Sequence, residues 1–131
     1  MLFRSNPDVL LGQVVGRKTI WLAPPEVSRH MYPYPSRGNA ASGQVERSDQ
    51  PRNPAANTEN PSMSNTSRVD VLVSSPEDAV RTRAEFPEFW ESVVPEAMAA
   101  TLEPGDLLFF PPGWWHSLRS EETSFSVSMW F

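Results

Sequence analysis

The run from Leu102 to His116, Leu-Glu-Pro-Gly-Asp-Leu-Leu-Phe-Phe-Pro-Pro-Gly-Trp-Trp-His, constrains the fold of this chain more than any other stretch. Pro104 presets φ for a turn, and Gly105 supplies the positive φ that a type II turn needs. Leu107 to Phe110 then reads as a short apolar run with the length and flanks of a buried strand. A second turn, Pro112-Gly113, delivers His116 between the aromatic pair Trp114-Trp115 and the strand Ser117-Leu118-Arg119. The segment thus reads as strand, turn, strand, turn and the mouth of a further strand. A neutral imidazole placed there suits a metal ion.

This segment resembles the C-terminal part of the JmjC, or cupin-like, family of Fe(II)- and 2-oxoglutarate-dependent oxygenases. The resemblance continues, in the family's order, in Gln13-Val14-Val15-Gly16-Arg17-Lys18, Tyr32-Pro33-Tyr34-Pro35, Asn65 to Val71, and Ser124 to Phe131. It implies an all-β double-stranded β-helix, the jelly-roll, spanning residues 1–131 as one domain with a short helical segment. It also implies Fe(II) and 2-oxoglutarate as cofactors, and a protein side chain or a modified tRNA base as substrate.

Enzymes of this family hold iron with a His-x-Asp or His-x-Glu pair and a distal histidine. His116 matches the distal histidine. The pair is expected about fifteen residues before the lysine of Gly-Arg-Lys, which here falls on Phe3-Arg4-Ser5. Neither a phenyl ring nor a hydroxyl replaces an imidazole and a carboxylate. His30 falls in the loop before Tyr32, away from the site, and Asp8 is out of register. The chain is therefore read as carrying one of three expected iron ligands.

The resemblance assigns two further residues to the cosubstrate. Lys18 matches the lysine that anchors the distal carboxylate of 2-oxoglutarate in many members, because a carboxylate in an apolar barrel needs a cation and hydrogen bonds. A solvated turn lysine is the other reading of Lys18. Trp130, on the same strand face as Ser128, is read either as a wall of the cosubstrate cavity or as a core tryptophan. Val9 stands where some members carry an asparagine near the cosubstrate. Arg17, on the opposite face from Lys18, is expected in solvent, and Trp114 and Trp115 are expected to be structural, one under the histidine and one over the rim. Tyr32 and Tyr34 are expected to pack at the rim.

Elsewhere the pattern predicts Val9–Val15 and Thr19–Leu22 as two strands joined through Gly16-Arg17 as a hairpin. Residues 36–67 are rich in Ser, Asn, Gly and Pro and are expected to be a disordered insertion, since they carry too little apolar surface to offset their ordering entropy. Ser75-Pro76-Glu77-Asp78 reads as a helix start, with the helix running to about Glu85 before Pro87. Phe86, Phe89 and Trp90 are expected to pack on the outside of the barrel. At the end of the chain Phe125, Val127, Met129 and Phe131 alternate with Ser124, Ser126, Ser128 and Trp130, the pattern of a half-buried strand. About six strands can be placed, against the eight of a jelly-roll, so the domain is expected to be incomplete at its N-terminus. A missing first strand would leave the last one as an exposed edge open to self-association.

Composition excludes several classes. A net charge of −5 gives no general attraction to nucleic acid or anionic membrane. The absence of cysteine rules out a disulfide framework and a thiolate metal site. No apolar run approaches transmembrane length and Met1-Leu2-Phe3-Arg4 is too short for a signal peptide, so the expected location is cytoplasmic or nuclear. Three functional readings follow: a truncated copy of an active hydroxylase or demethylase lacking its His-x-Asp pair, a catalytically inactive binding or assembly module, and a cupin with a different metal.

Overall fold

The computed structural model describes residues 1–35, 63–73 and 75–131. Their strands are β1 (Leu2–Arg4), β2 (Val9–Val15), β3 (Lys18–Ala23), β4 (Thr66–Ser67), β5 (Met98–Leu102), β6 (Leu107–Phe110), β7 (Trp115–Ser120) and β8 (Phe125–Trp130). One helix, α1 (Pro76–Glu85), and several short helical turns complete the set. The strands form a five-stranded sheet in the order β4-β1-β7-β3-β5 and a three-stranded sheet in the order β6-β2-β8. All pairings are antiparallel, as a jelly-roll requires. No described helix is long and apolar enough to cross a membrane.

Two apolar cores lie on opposite faces of the five-stranded sheet. Between the sheets, Val9 and Leu11 of β2, Ile20 and Leu22 of β3, Leu102 and Phe110 pack together. On the outer face, Leu2, Ala23 and Trp115 meet Val27, Met31, Phe86, Phe89 and Val93 from the helical layer. Alternation along each strand produces this division, because successive side chains leave a strand on opposite faces. Trp115 is buried, and its indole N–H donates to Ser28 Oγ at 2.9 Å, so it brings apolar area inside without stranding a donor.

The helix follows its expected local chemistry. Ser75 Oγ accepts from the Asp78 backbone N–H at 3.1 Å, Pro76 opens the first turn, and the helix stops at Glu85. Phe86 and Phe89 are buried against the outer face of the sheet, Phe89 stacking on Trp21 with centroids 5.9 Å apart. The turn at Glu103–Asp106 closes with a 3.0 Å backbone bond, and Gly105 takes φ 97°.

Several expectations are corrected. β2 and β3 do not form a hairpin: β2 pairs with β6 and β8, and β3 with β5 and β7. Gly16-Arg17 is a corner that passes the chain from one sheet to the other. Gly16 has φ 67°, and a Cβ there would lie 2.2 Å from the Thr123 carbonyl oxygen, so the close approach and the positive φ both require glycine. Residues 2–4, where the sequence pattern places no strand, form β1 between β4 and β7. Residues 36–62 of the expected disordered insertion lie outside the described residues. Thr66 and Ser67 at its far end instead form β4 and are buried, with Ser67 Oγ bonded to the Met31 carbonyl and to the Val69 N–H.

Burial of the C-terminal strands also departs from expectation. Leu107 and Phe109 of β6 are exposed, as are Phe125, Val127 and Met129 of β8. The reason is architectural: no described element covers the outer face of the three-stranded sheet, so only its inner residues contribute to a core.

Candidate functional site

His116 lies on β7, flanked by β1 and β3. Register places it opposite Phe3 on one side and Leu22 on the other. Its imidazole sits 4.9 Å from the Phe110 ring and 6.3 Å from the Phe3 ring, centroid to centroid. Its Nδ1 is buried and has no hydrogen-bond partner among the described residues. Burial pushes the pKa of His116 below the ordinary histidine value, and the nearby Trp114 backbone only partly offsets this. The imidazole is neutral at physiological pH, the form a metal or a hydrogen-bonding ligand would meet.

A cavity of about 390 Å³ opens at this point, lined by Phe3, Leu11, Phe110, His116, Ser128 and Trp130 among others. A second, of about 230 Å³, lies on the other side of His116 and Trp130, against Arg4, Ser5, Pro7 and Val9. His116, Trp130 and Ser128 are thus brought together. Trp130 is 73% exposed, which overturns its reading as a core tryptophan and leaves it as a cavity wall. Val9 is buried in the inter-sheet core and also borders the smaller cavity.

Lys18 shares the inner face of β3 with Ile20 and Leu22. It stands four residues from the rung of His116, about 13 Å along the strand, and does not line the larger cavity. Lys18 forms no ion pair with a described residue. Arg17 is in solvent as expected, 3.2 Å from Glu122.

The residues present do not fit three-ligand iron coordination. Phe3 fills the rung across from His116, and Ser5 is engaged elsewhere. Its hydroxyl donates to the Pro7 carbonyl at 2.7 Å, and its N–H donates to the Trp114 carbonyl at 2.9 Å. Among the described residues no three His, Cys, Asp or Glu side chains are grouped to hold a metal ion. His30 lies on the helical turn Pro25–His30, with Nδ1 3.5 Å from Glu88 Oε2, remote from the cavity.

Other sequence-predicted residues find structural places. Trp115 points away from His116 into the outer core, and Trp114 packs on the inter-sheet core. Tyr32 takes φ 47° and meets Phe86 edge-on at 5.0 Å. The walls Phe3, Leu11 and Phe110 were not singled out as site residues by sequence reasoning. Phe3 carried a usable signal, because counting from Lys18 had already landed on it.

Residues 4–131 match the family described as cupin-like domain. The chain is 34% identical over 130 residues to Lysine-specific demethylase 8 of Danio rerio, covering 99% of this chain and 24% of that protein. It is 32% identical over 123 residues to Jumonji C domain-containing protein 5 of Drosophila melanogaster, covering 93% of this chain and 22% of that protein. Lysine-specific demethylase JMJ30 of Arabidopsis thaliana is 32% identical over 122 residues, 93% of this chain and 20% of its own length. The chain therefore spans between a fifth and a quarter of the length of these curated relatives.

Proposed function

Because this chain belongs to the cupin-like domain family and resembles its JmjC members, we propose that it is a JmjC-type dioxygenase-like domain lacking the His-x-Asp iron ligands, and that it works as a catalytically inactive binding or assembly module. The single observation that carries this reading is Phe3 opposite His116 in the β1–β7 ladder. β7 has β1 on one edge and β3 on the other, so a further strand bearing a ligand pair has no free rung beside His116. What remains is an apolar cavity with one neutral imidazole, a recess suited to burying an apolar group and fixing it with a single hydrogen bond.

Within this reading His116 is the binding group, Trp130 a wall of its recess, and Lys18 the cation that would meet a carboxylate such as that of 2-oxoglutarate. A charge-assisted hydrogen bond of that kind contributes about 1.5–3 kcal/mol. The partner is a protein rather than tRNA: the relatives named as lysine-specific demethylases point that way, and a net charge of −5 offers no general attraction to RNA. Its setting is the cytoplasm or nucleus. The free edge of β8 is the self-association surface of the module.

A second reading is favoured by the short share of the relatives that the chain spans. In it the chain is part of an active hydroxylase or demethylase whose His-x-Asp pair lies outside these residues. Turnover of 2-oxoglutarate with added Fe(II), measured on the product of the native transcript with any in-frame sequence upstream of Met1 included, separates the two. The module reading expects no decarboxylation above background, and robust decarboxylation that disappears in His116→Ala would overturn it.

A further inference from the structure

The space between the two sheets is layered, and the layers differ in chemistry. On the larger sheet, β3 and β7 set Leu22 opposite His116, Ile20 opposite Leu118 and Lys18 opposite Ser120, successive rungs of the inner face. On the smaller sheet, β2 and β8 set Val9 opposite Trp130, Leu11 opposite Ser128 and Gln13 opposite Ser126. The top layer is rich in rings, because Phe3 and Phe110 stand beside His116 there. The middle layer is largely aliphatic. The bottom layer bears a cation, hydroxyls and an amide.

That bottom layer is fixed by its own hydrogen bonds. Gln13 is buried; its Nε2 donates to the Val15 and Gly16 carbonyls at 2.8 and 2.7 Å, and its Oε1 accepts from Ser126 Oγ at 2.6 Å. The Glu121 N–H donates to the Arg17 carbonyl at 3.0 Å. The corner that delivers Lys18 is thus held on both sides, yet Lys18 itself forms no ion pair with a described residue. Ser120, its cross-strand neighbour, has its Oγ 2.9 Å from Ser124 Oγ. A hydroxyl pair of that kind can turn one proton toward an anion and keep its mutual bond. The larger cavity runs from the ring-bearing layer down to Leu118, one rung above Lys18 and Ser120.

Resting on the reading of this recess as the binding site of an inactive module, we infer that its ligand is an aromatic monocarboxylate. Its ring lies among Phe3, Phe110, His116 and Trp130, and its carboxylate is directed to Lys18 and Ser120. The rings of the top layer favour an aryl group, through edge and offset-stacked contacts, over a plain alkyl end. The two poles stand four residues, about 13 Å, apart along the strands, so a short aliphatic link between ring and carboxylate runs past Leu11 and Leu118. A dicarboxylate such as 2-oxoglutarate is disfavoured. Its second carboxylate would enter the ring-lined end, where no lysine or arginine side chain among the described residues lines the larger cavity, and a buried charge without a partner is costly. Phe3 therefore does more than leave out a metal ligand: it turns a polar pole of the recess into an apolar one.

Titration calorimetry in chelator-treated buffer, on the full product of the native transcript, tests this with phenylbutyrate, phenylbutanol and 2-oxoglutarate. Phenylbutyrate should bind at least about tenfold more tightly than either of the others. Lys18→Met keeps the aliphatic stem and removes the charge, so it should weaken phenylbutyrate at least about tenfold and leave phenylbutanol unchanged. Leu118→Trp fills the middle layer from a position that is 39% exposed, and should abolish binding of both with unchanged circular dichroism. Binding of 2-oxoglutarate as tight as that of phenylbutyrate would overturn the inference. So would phenylbutyrate affinity that is insensitive to Lys18→Met, or no phenylbutyrate binding at millimolar concentration. Decarboxylation of 2-oxoglutarate by the same preparation with Fe(II) reports on the inactive-module reading, so failure of that reading and failure of the ligand assignment are told apart.

Discussion

Phe3 and His116 are direct cross-strand neighbours in the β1–β7 ladder, with ring centroids 6.3 Å apart. A histidine at position 3 would project onto the same face as the His116 imidazole, because directly opposed residues of an antiparallel pair share a face. Position 5 lies two residues on and returns to that face. Positions 3, 5 and 116 thus share one face of β1 and β7, and among them only position 116 carries an imidazole or a carboxylate.

The first prediction follows from that. The double variant Phe3→His, Ser5→Asp should bind Co(II) at least about tenfold more tightly than the parent chain, a difference of about 1.4 kcal/mol. Visible absorbance of the Co(II) complex reads it directly. Equal, weak binding by both proteins would mean that β1 does not hold positions 3 and 5 toward His116.

Protonation of His116 should destabilise the fold. Its folded-state pKa lies below the ordinary value of 6.5 because of burial, so between the two values the unfolded chain binds more protons than the folded one. The contribution of this group is fully present above about pH 6.5 and declines as pH falls toward the folded pKa. Urea midpoints in chelator-treated buffer should fall on acidification more steeply for the parent than for His116→Gln. Parallel curves would refute the assignment, as would an imidazole proton resonance titrating above 6.5.

Gly16→Ala should destabilise by more than about 1 kcal/mol, since the added Cβ meets the Thr123 carbonyl and φ is positive. The loss should appear in the denaturant midpoint. Gly105→Ala, at a turn where a Cβ meets nothing within 4 Å, keeps only the φ penalty and should cost less.

Trp115→Ala should cost about 3–5 kcal/mol, because the indole is 1% exposed and fills the core between the larger sheet and the helical layer. Trp130→Ala removes a larger share of solvent-facing surface and should change the midpoint far less. Equal losses would contradict the burial pattern.

Features set by neighbouring residues were legible in the sequence. The Ser75 cap, the Pro76 helix start and the Gly105 turn depend on chemistry within four positions, and each is where the pattern predicted it. The alternation of Ser124 to Phe131 marked β8 as a strand, but its burial depends on what covers the sheet, which no local pattern encodes. Gly16-Arg17 has the composition of a turn, and turn chemistry alone does not say which sheet the next strand joins. β1 escaped because three residues are too few to display a period, although the spacing to Lys18 located Phe3 within it. At the candidate site, His116 stood out by motif. The apolar walls around it did not, since Leu11 and Phe110 read as ordinary core residues until the sheets are superposed.

Among the described residues the larger sheet is packed on both faces, and the smaller one on its inner face alone. The molecule therefore has a stiff half and a soft half. Amide protons at the centre of β3 and β7, held between two layers, should exchange with solvent only on global opening, while those of β8 should exchange through local detachment of the smaller sheet. Opening of that kind would uncover the His116 recess from its β8 side, making access to it a matter of breathing as much as of shape.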